Sequence, residues 1–174
     1  MPDIDPLTTD WQDDEVAVMH HLRDWAVAFE ELDRHLGVWM GMSTTDANAL
    51  GQVLWAEQAG EPLSPAQLAR QIGMTSGATS VLVDRLETAG HVTRHRESTD
   101  RRRVTLRATA AARAANEAFL ALAGREIAGA LRESDPAELR AALRFLARMT
   151  TAATAANTRL AARRNGGSTT ATAH

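Results

Sequence analysis

Two glycines seventeen residues apart, Gly73 and Gly90, constrain this chain more than any other feature. Each ends a run of helix-forming residues, and each run has its own start signal. Ser64-Pro65-Ala66-Gln67 opens the first: a hydroxyl to cap, proline at the first helical position, and a glutamine placed to reach back. Thr75 caps the second. Only Met74 stands between Gly73 and Thr75, so the two helices must meet at a tight turn. The second helix is expected to run to about Ala89 with Ala78, Leu82 and Leu86 inward, small Ala78 allowing a close crossing over the first. After Gly90 come two short runs with β-branched residues, His91–Arg96 and Arg103–Leu106, with Val92, Val104 and Leu106 inward. The polar loop Glu97-Ser98-Thr99-Asp100-Arg101-Arg102 joins them as a hairpin. Helix, turn, helix and hairpin make a winged helix-turn-helix.

The flanks read as helices. Residues 1–12 form a loose arm. From Asp13 to about Met40, the residues Met19, Leu22, Ala26, Phe29, Leu32, Leu36 and Trp39 recur every three or four positions, with Asp13, Asp14 and Glu15 suiting the helix dipole. A helix this long in a small protein often reaches toward a partner subunit. Thr44 is the expected cap of the next helix, Thr45–Gln58, with Ala47, Leu50, Val53 and Leu54 inward. After the hairpin, one alanine-rich helix is expected from Thr109 to about Ala130, anchored by Phe119, Leu122, Ile127 and Leu131. Asp135-Pro136-Ala137-Glu138 starts a last helix carrying Leu139, Leu143, Leu146 and Met149 and reaching about Leu160. The fold class is mainly α, a winged helix-turn-helix with flanking dimerisation helices. Residues 1–44 are read as arm and dimerisation helix, 45–107 as the winged domain, 108–162 as C-terminal dimerisation helices, and 163–174 as a disordered tail.

Composition narrows the function. The chain has no cysteine, which excludes disulfides, zinc–thiolate sites and thiol redox sensing. No apolar run approaches the ~18 residues of a membrane span, and the acidic N-terminus lacks the pattern of a signal peptide. A cytoplasmic protein without membrane contact is expected. Every cationic side chain other than histidine is arginine. The net charge of −3 hides an asymmetry: residues 1–61 hold thirteen acids and two arginines, residues 62–113 four acids and nine arginines. An acidic chain with one basic segment suits a polyanion partner through that segment; the bland alternative is a solvated basic face. There is no Gly-rich phosphate loop, no H-E-x-x-H and no cysteine nucleophile, so no enzyme is expected. No cofactor or metal is expected either, because nothing in the spacing of His20, His21 and His35 shows that they converge.

The partner expected is double-stranded DNA. Residues at the start of a recognition helix meet base edges in the major groove. Here these are Thr75, Ser76, Gly77, Ala78, Thr79 and Ser80. Hydroxyls can bond bases or phosphates, and Gly77 permits close backbone approach. No Arg, Asn or Gln stands in that first turn, so two-pronged base reading is weak. Arg85 is assigned to a phosphate, and Gln67 and Arg70 to the backbone. Arg101 and Arg102, at the hairpin tip, suit a narrow minor groove. Asp84 and Asp100 are wing supports that could pair with one of those arginines. An ordinary capped helix and a solvated charged turn are the alternatives.

These residues resemble the MarR family of bacterial transcriptional regulators. The resemblance rests on Leu68-Ala69 and Ile72-Gly73, on Val83-Asp84-Arg85-Leu86-Glu87 followed by Gly90, and on Asp100-Arg101-Arg102 ahead of Val104-Thr105-Leu106. It implies a homodimer with the first, fifth and sixth helices of the family's fold interleaved. It also implies a pseudo-palindromic operator, repression, and release by a small aromatic or anionic effector. The family's pocket region maps onto His21, Trp25, His35, Trp39 and Trp55. Many members carry a polar or basic residue about where Val81 stands, and the valine departs from that pattern. A ligand-independent or architectural DNA-binding dimer is the competing expectation, and a winged module for protein contact or catalysis a third.

Overall fold

The computed structural model describes residues 5–97 and 104–167, the side chains of 164–167 excepted. Its elements run α1 (Asp13–Met40), α2 (Thr44–Gln58), α3 (Pro65–Gln71), α4 (Ser76–Thr88), β1 (Val92–Arg96), β2 (Val104–Ala108), α5 (Ala110–Ala123), α6 (Arg125–Glu133) and α7 (Pro136–Gly167). They fall into two compact units, one ending at Gly124 and one beginning at Arg125.

In the first unit, caps decide where the helices begin. Gln12 and Glu15 close a reciprocal capping box at the head of α1. The cap of α2 is Ser43, one residue before the expected Thr44: its Oγ accepts the Asp46 N–H at 3.2 Å. Ser64 and Gln67 form the expected box on α3, with Gln67 Oε1 accepting the Ser64 N–H at 2.8 Å. Thr75 Oγ1 accepts the Ala78 N–H at 3.3 Å and so caps α4. Gly73 and Gly90 sit at φ +67° and +75°, the left-handed region that stops each helix and that other residues enter at a cost.

The core lies under the winged region. Leu50 and Val53 of α2, Leu68 of α3, Leu82, Val83 and Leu86 of α4, Val92 of β1 and Leu106 of β2 are fully buried. Each buried leucine contributes roughly 1.5–3 kcal/mol by leaving water. The inward stripe of α4 is Thr79, Leu82, Val83 and Leu86. Ala78, expected inward, is exposed, because the stripe sits one residue later than the alanine suggested. The strands pair antiparallel with Val92 opposite Ala108 and Arg96 opposite Val104. Strand β2 extends two residues past the expected Leu106, and the Leu106 N–H donates to the Leu63 carbonyl at 2.8 Å, tying the hairpin to the loop before α3.

The single helix expected from Thr109 to Ala130 is two helices. Thr109 caps α5, which ends at Gly124, where a Cβ would lie 2.8 Å from the Leu120 carbonyl oxygen. Only glycine fits that close approach. In the second unit, Asp135 caps α7: its Oδ1 accepts the Ala137 N–H at 2.6 Å, and its own N–H donates to Glu138 Oε2 at 3.2 Å. Helix α7 continues to Gly167. Residues 163–167, expected in a disordered tail, are therefore helical, since the small-residue stretch after Met149 keeps alanine's helix preference. Residues 168–174 lie outside the described set. Among the described residues, no helix is long and apolar enough to cross a membrane.

Candidate nucleic-acid interface

Helix α4 has two faces with different work. Its inward face is core. Its outward face carries Gly77, Ser80, Val81, Asp84 and Thr88 at helical spacing, with Ser76 beside them, and all are exposed. The side chains are short. Ser80 Oγ donates to the Ser76 carbonyl at 3.0 Å, keeping close to the helix surface. A Cβ on Gly77 would find no described atom within 4 Å, so the internal packing gives no reason for glycine there.

The sequence places Thr79 on the reading surface, but in the structure it is 1% exposed and its Oγ1 donates to the Thr75 carbonyl at 2.9 Å. Position 79 falls on the core face, between Thr75 and Val83 in the helical repeat, so its side chain cannot touch a duplex while α4 is docked on the core.

Ionic contacts fix α4 against its neighbours. Arg85 grips Asp46 at the head of α2, with Nε at 2.9 Å from Oδ2 and Nη2 at 2.5 Å from Oδ1. Asp46 is 6% exposed. The Arg85 guanidinium holds its carboxyl below the usual carboxylate range, against the opposing effect of burial. Two-pronged pairing of this kind is directional as well as strong. Arg85, expected to meet a phosphate, is paired with Asp46 and keeps 54% of its side chain exposed. Asp84 was expected to hold a wing-tip arginine. Among the described residues it pairs with Arg94 of β1, whose Nη2 is 2.6 Å from Asp84 Oδ1 and whose Nη1 meets Glu87 Oε2. The Arg94 N–H also donates to Glu87 Oε1 at 3.2 Å. Hydrogen bonding to Asp84 raises the Arg94 pKa further above its ordinary value.

The hairpin is pinned as well. Glu57 of α2 accepts the Ala108 N–H at 3.1 Å and pairs with Arg113 at 3.0 Å. Glu97 accepts from the Thr105 hydroxyl at 2.6 Å and pairs with Arg107 at 3.2 Å; the Thr105 bond lowers its pKa most. The Val-Asp-Arg-Leu-Glu run thus has a physical account. Val83 and Leu86 fill the core, Arg85 holds α2, and Asp84 with Glu87 holds β1.

Gln67 has its amide oxygen committed to the cap of α3 and is half-buried, while Arg70 is exposed at the end of that helix. Asp100, Arg101 and Arg102 lie outside the described residues. Sequence reasoning missed Asp46, Arg94 and Glu57. The one signal available was an acid three residues after the cap at Ser43, a placement equally well explained by the helix dipole.

The five residues assigned to an effector pocket do not converge within one chain. Trp25 and Trp39 are fourteen residues apart on α1, about 21 Å at ~1.5 Å per residue. Trp25 packs on Phe29, Trp39 meets Phe119 edge-on, and Trp55 is 66% exposed on α2. His21 is exposed, and His35 lies 3.9 Å from Glu31 on its own helix. A groove of about 400 Å³ opens elsewhere in the first unit, lined by Glu30, Asp33 and Arg34 of α1, Thr44, Asn48 and Gln52 of α2 and the end of α3. Burial raises the Asp33 carboxyl pKa there, and the Asn48 amide donates to it at 3.4 Å.

Fold and face together define a winged helix-turn-helix protein. The family model described as "MarR family" matches residues 40–103, the span from the end of α1 to the hairpin. The solved structures place the same region in the same architecture. The transcriptional regulator BldR from Sulfolobus solfataricus is 25% identical over 80% of this chain and 99% of that one, with a TM-score of 0.54. A MarR family protein from Bacillus stearothermophilus, 21% identical over 83% of this chain and 99% of its own, superimposes with a TM-score of 0.57 and bears on the fold alone. The uncharacterized HTH-type transcriptional regulator YcgE of Bacillus subtilis (strain 168) is 42% identical over 45 residues, 26% of this chain. The match spans 29% of that relative's length. Over residues 40–103, the winged helix-turn-helix of this chain resembles that of the MarR family.

Proposed function

We propose that this protein is a transcriptional regulator that binds double-stranded DNA sequence-selectively as a homodimer. It represses by occupying a pseudo-palindromic operator and is released by a small aromatic or anionic ligand. The observation that carries this reading is the outward face of α4: exposed, short-chained, and held rigidly from behind by the Asp46–Arg85 and Arg94–Asp84–Glu87 contacts. Arginines concentrated in residues 62–113 supply the attraction for phosphates. Dimerisation is supported by apolar side chains left in water on α1, among them Met19, Trp25 and Phe29, and, in the second unit, by Leu143, Leu146 and Leu160 on α7. Two copies of α4 in successive major grooves would sit about 34 Å apart. A releasing ligand must bind better to a state that does not fit that spacing.

The test is selection of a binding site from random duplex DNA with the full chain, followed by fluorescence anisotropy over a sodium chloride series. The selected duplex should bind at least about a hundredfold tighter than a scrambled one. Equal binding of the two would end the reading. Arg102→Ala should weaken both duplexes and flatten the salt slope by about two units, as expected for one lost phosphate contact in each protomer of the dimer. An unchanged slope removes Arg102 from the interface.

A further inference from the structure

We propose that Val81 is a specificity-determining residue that reads the 5-methyl group of a thymine in the major groove. The inference rests on the DNA-binding reading above and deepens it.

Val81 is 62% exposed at the centre of the outward face of α4. Valine gains nothing there from the fold. It is β-branched, which lowers its helix preference, and its methyls are not packed. Its surroundings explain what it could meet. One turn earlier on the same stripe stands Gly77, where even a Cβ would be in open space. Ser80 is folded back onto the Ser76 carbonyl at 3.0 Å. One turn later, Asp84 is drawn toward β1 by Arg94 at 2.6 Å. No long side chain on this stripe holds the helix away from a partner, so the helix axis can come close. Val81 reaches only two bonds beyond its Cα and needs that close approach.

The chemistry of the groove then selects the target. A base pair shows donors, acceptors and one apolar group in the major groove, the thymine methyl. Val81 has no hydrogen-bonding side-chain atom, so cytosine, guanine and adenine edges would lose water against it without compensation. Thymine alone offers an apolar surface. Since Ser76 and Ser80 are short hydroxyls that bond several bases, the methyl contact is the sharper discriminator on this face.

The experiment uses the full chain and the selected duplex. Each thymine of one half-site is replaced in turn by deoxyuridine, which removes the methyl and leaves the hydrogen-bonding edge unchanged. At one thymine, wild-type affinity should fall about fourfold, the worth of one buried methyl. Val81→Ala, which loses the contact in both half-sites of the dimer, should bind the thymine duplex about as weakly as wild type binds a duplex with uracil at that position in both half-sites, and should lose the distinction between thymine and uracil. Val81→Ile, which keeps a branched apolar side chain, should retain it. Helix content by circular dichroism should hold for Val81→Ala, since alanine favours the helix. The proposal is overturned if no thymine shows methyl dependence, or if the dependence survives in Val81→Ala, while selective binding itself persists. Absence of any selective duplex binding overturns the DNA reading and this proposal with it, and the two failures are distinct.

Discussion

Asp46 shows how much one side chain can hold. It is nearly buried at the start of α2 and bonded through both oxygens by an arginine thirty-nine residues away. Asp46→Asn keeps the shape and removes the charge. It should cost about 1–2 kcal/mol at neutral pH, discounted because Arg85 is half in water. The carboxyl has a folded pKa below its unfolded value of about 3.9. Its contribution is therefore fully present above that unfolded value and disappears as pH falls through the lower folded value. Urea denaturation of both proteins from pH 7 to pH 3 should show the difference shrinking only below about pH 4. A constant difference would mean that the ionised carboxylate is not what Asp46 contributes at this position. This pairing was not legible in the sequence. An acid near a helix start reads first as a dipole effect, and nothing local says which distant arginine will meet it.

Elements were easier to read than contacts. The capping box at Ser64 and Gln67, the turn at Gly73 and the stop at Gly90 are local matters of backbone and hydrogen bonds, and they stand where the residues place them. The inward side of α4 was less legible, because Ala78 and Thr79 are both small and either could face a core. Burial chose Thr79. The break at Gly124 was missed for a similar reason: alanine-rich neighbours continue the helical pattern, and the close approach to the Leu120 carbonyl is visible only in three dimensions. Gly77 offers a test at this scale. Glycine in a helix costs about 0.5–1 kcal/mol relative to alanine, and here the space for a methyl is open. Gly77→Ala should raise stability by about that amount in urea denaturation and lower affinity for the selected duplex. A variant that gains stability and binds unchanged would show that the helix does not approach DNA along this stripe.

At the scale of the molecule, the resemblance to the MarR family was legible because its Val83-Asp84-Arg85-Leu86-Glu87 run doubles as the ties of the winged region. The pocket assignment was not, since aromatic and histidine residues spread along a 28-residue helix cannot gather in one chain. The exposed apolar side chains on α1 predict association. Sedimentation velocity at micromolar concentration should give a dimer, and Trp25→Glu, placing a charge among those side chains, should shift it toward monomer. Because two half-sites bound together gain from effective concentration, the same variant should lose at least tenfold in operator affinity while keeping its helix content. A wild-type monomer would rule out paired half-site reading.

The division of labour across α4 also bears on how such a protein changes over generations. The core residues of α4, Thr79, Leu82, Val83 and Leu86, point one way, and Gly77, Ser80 and Val81 point the other. Substitutions at Gly77, Ser80 or Val81 leave the foundation untouched. On the proposed DNA-binding role, a lineage carrying this scaffold can acquire a new target site through a few outward replacements, without first accumulating reserves of stability to survive them.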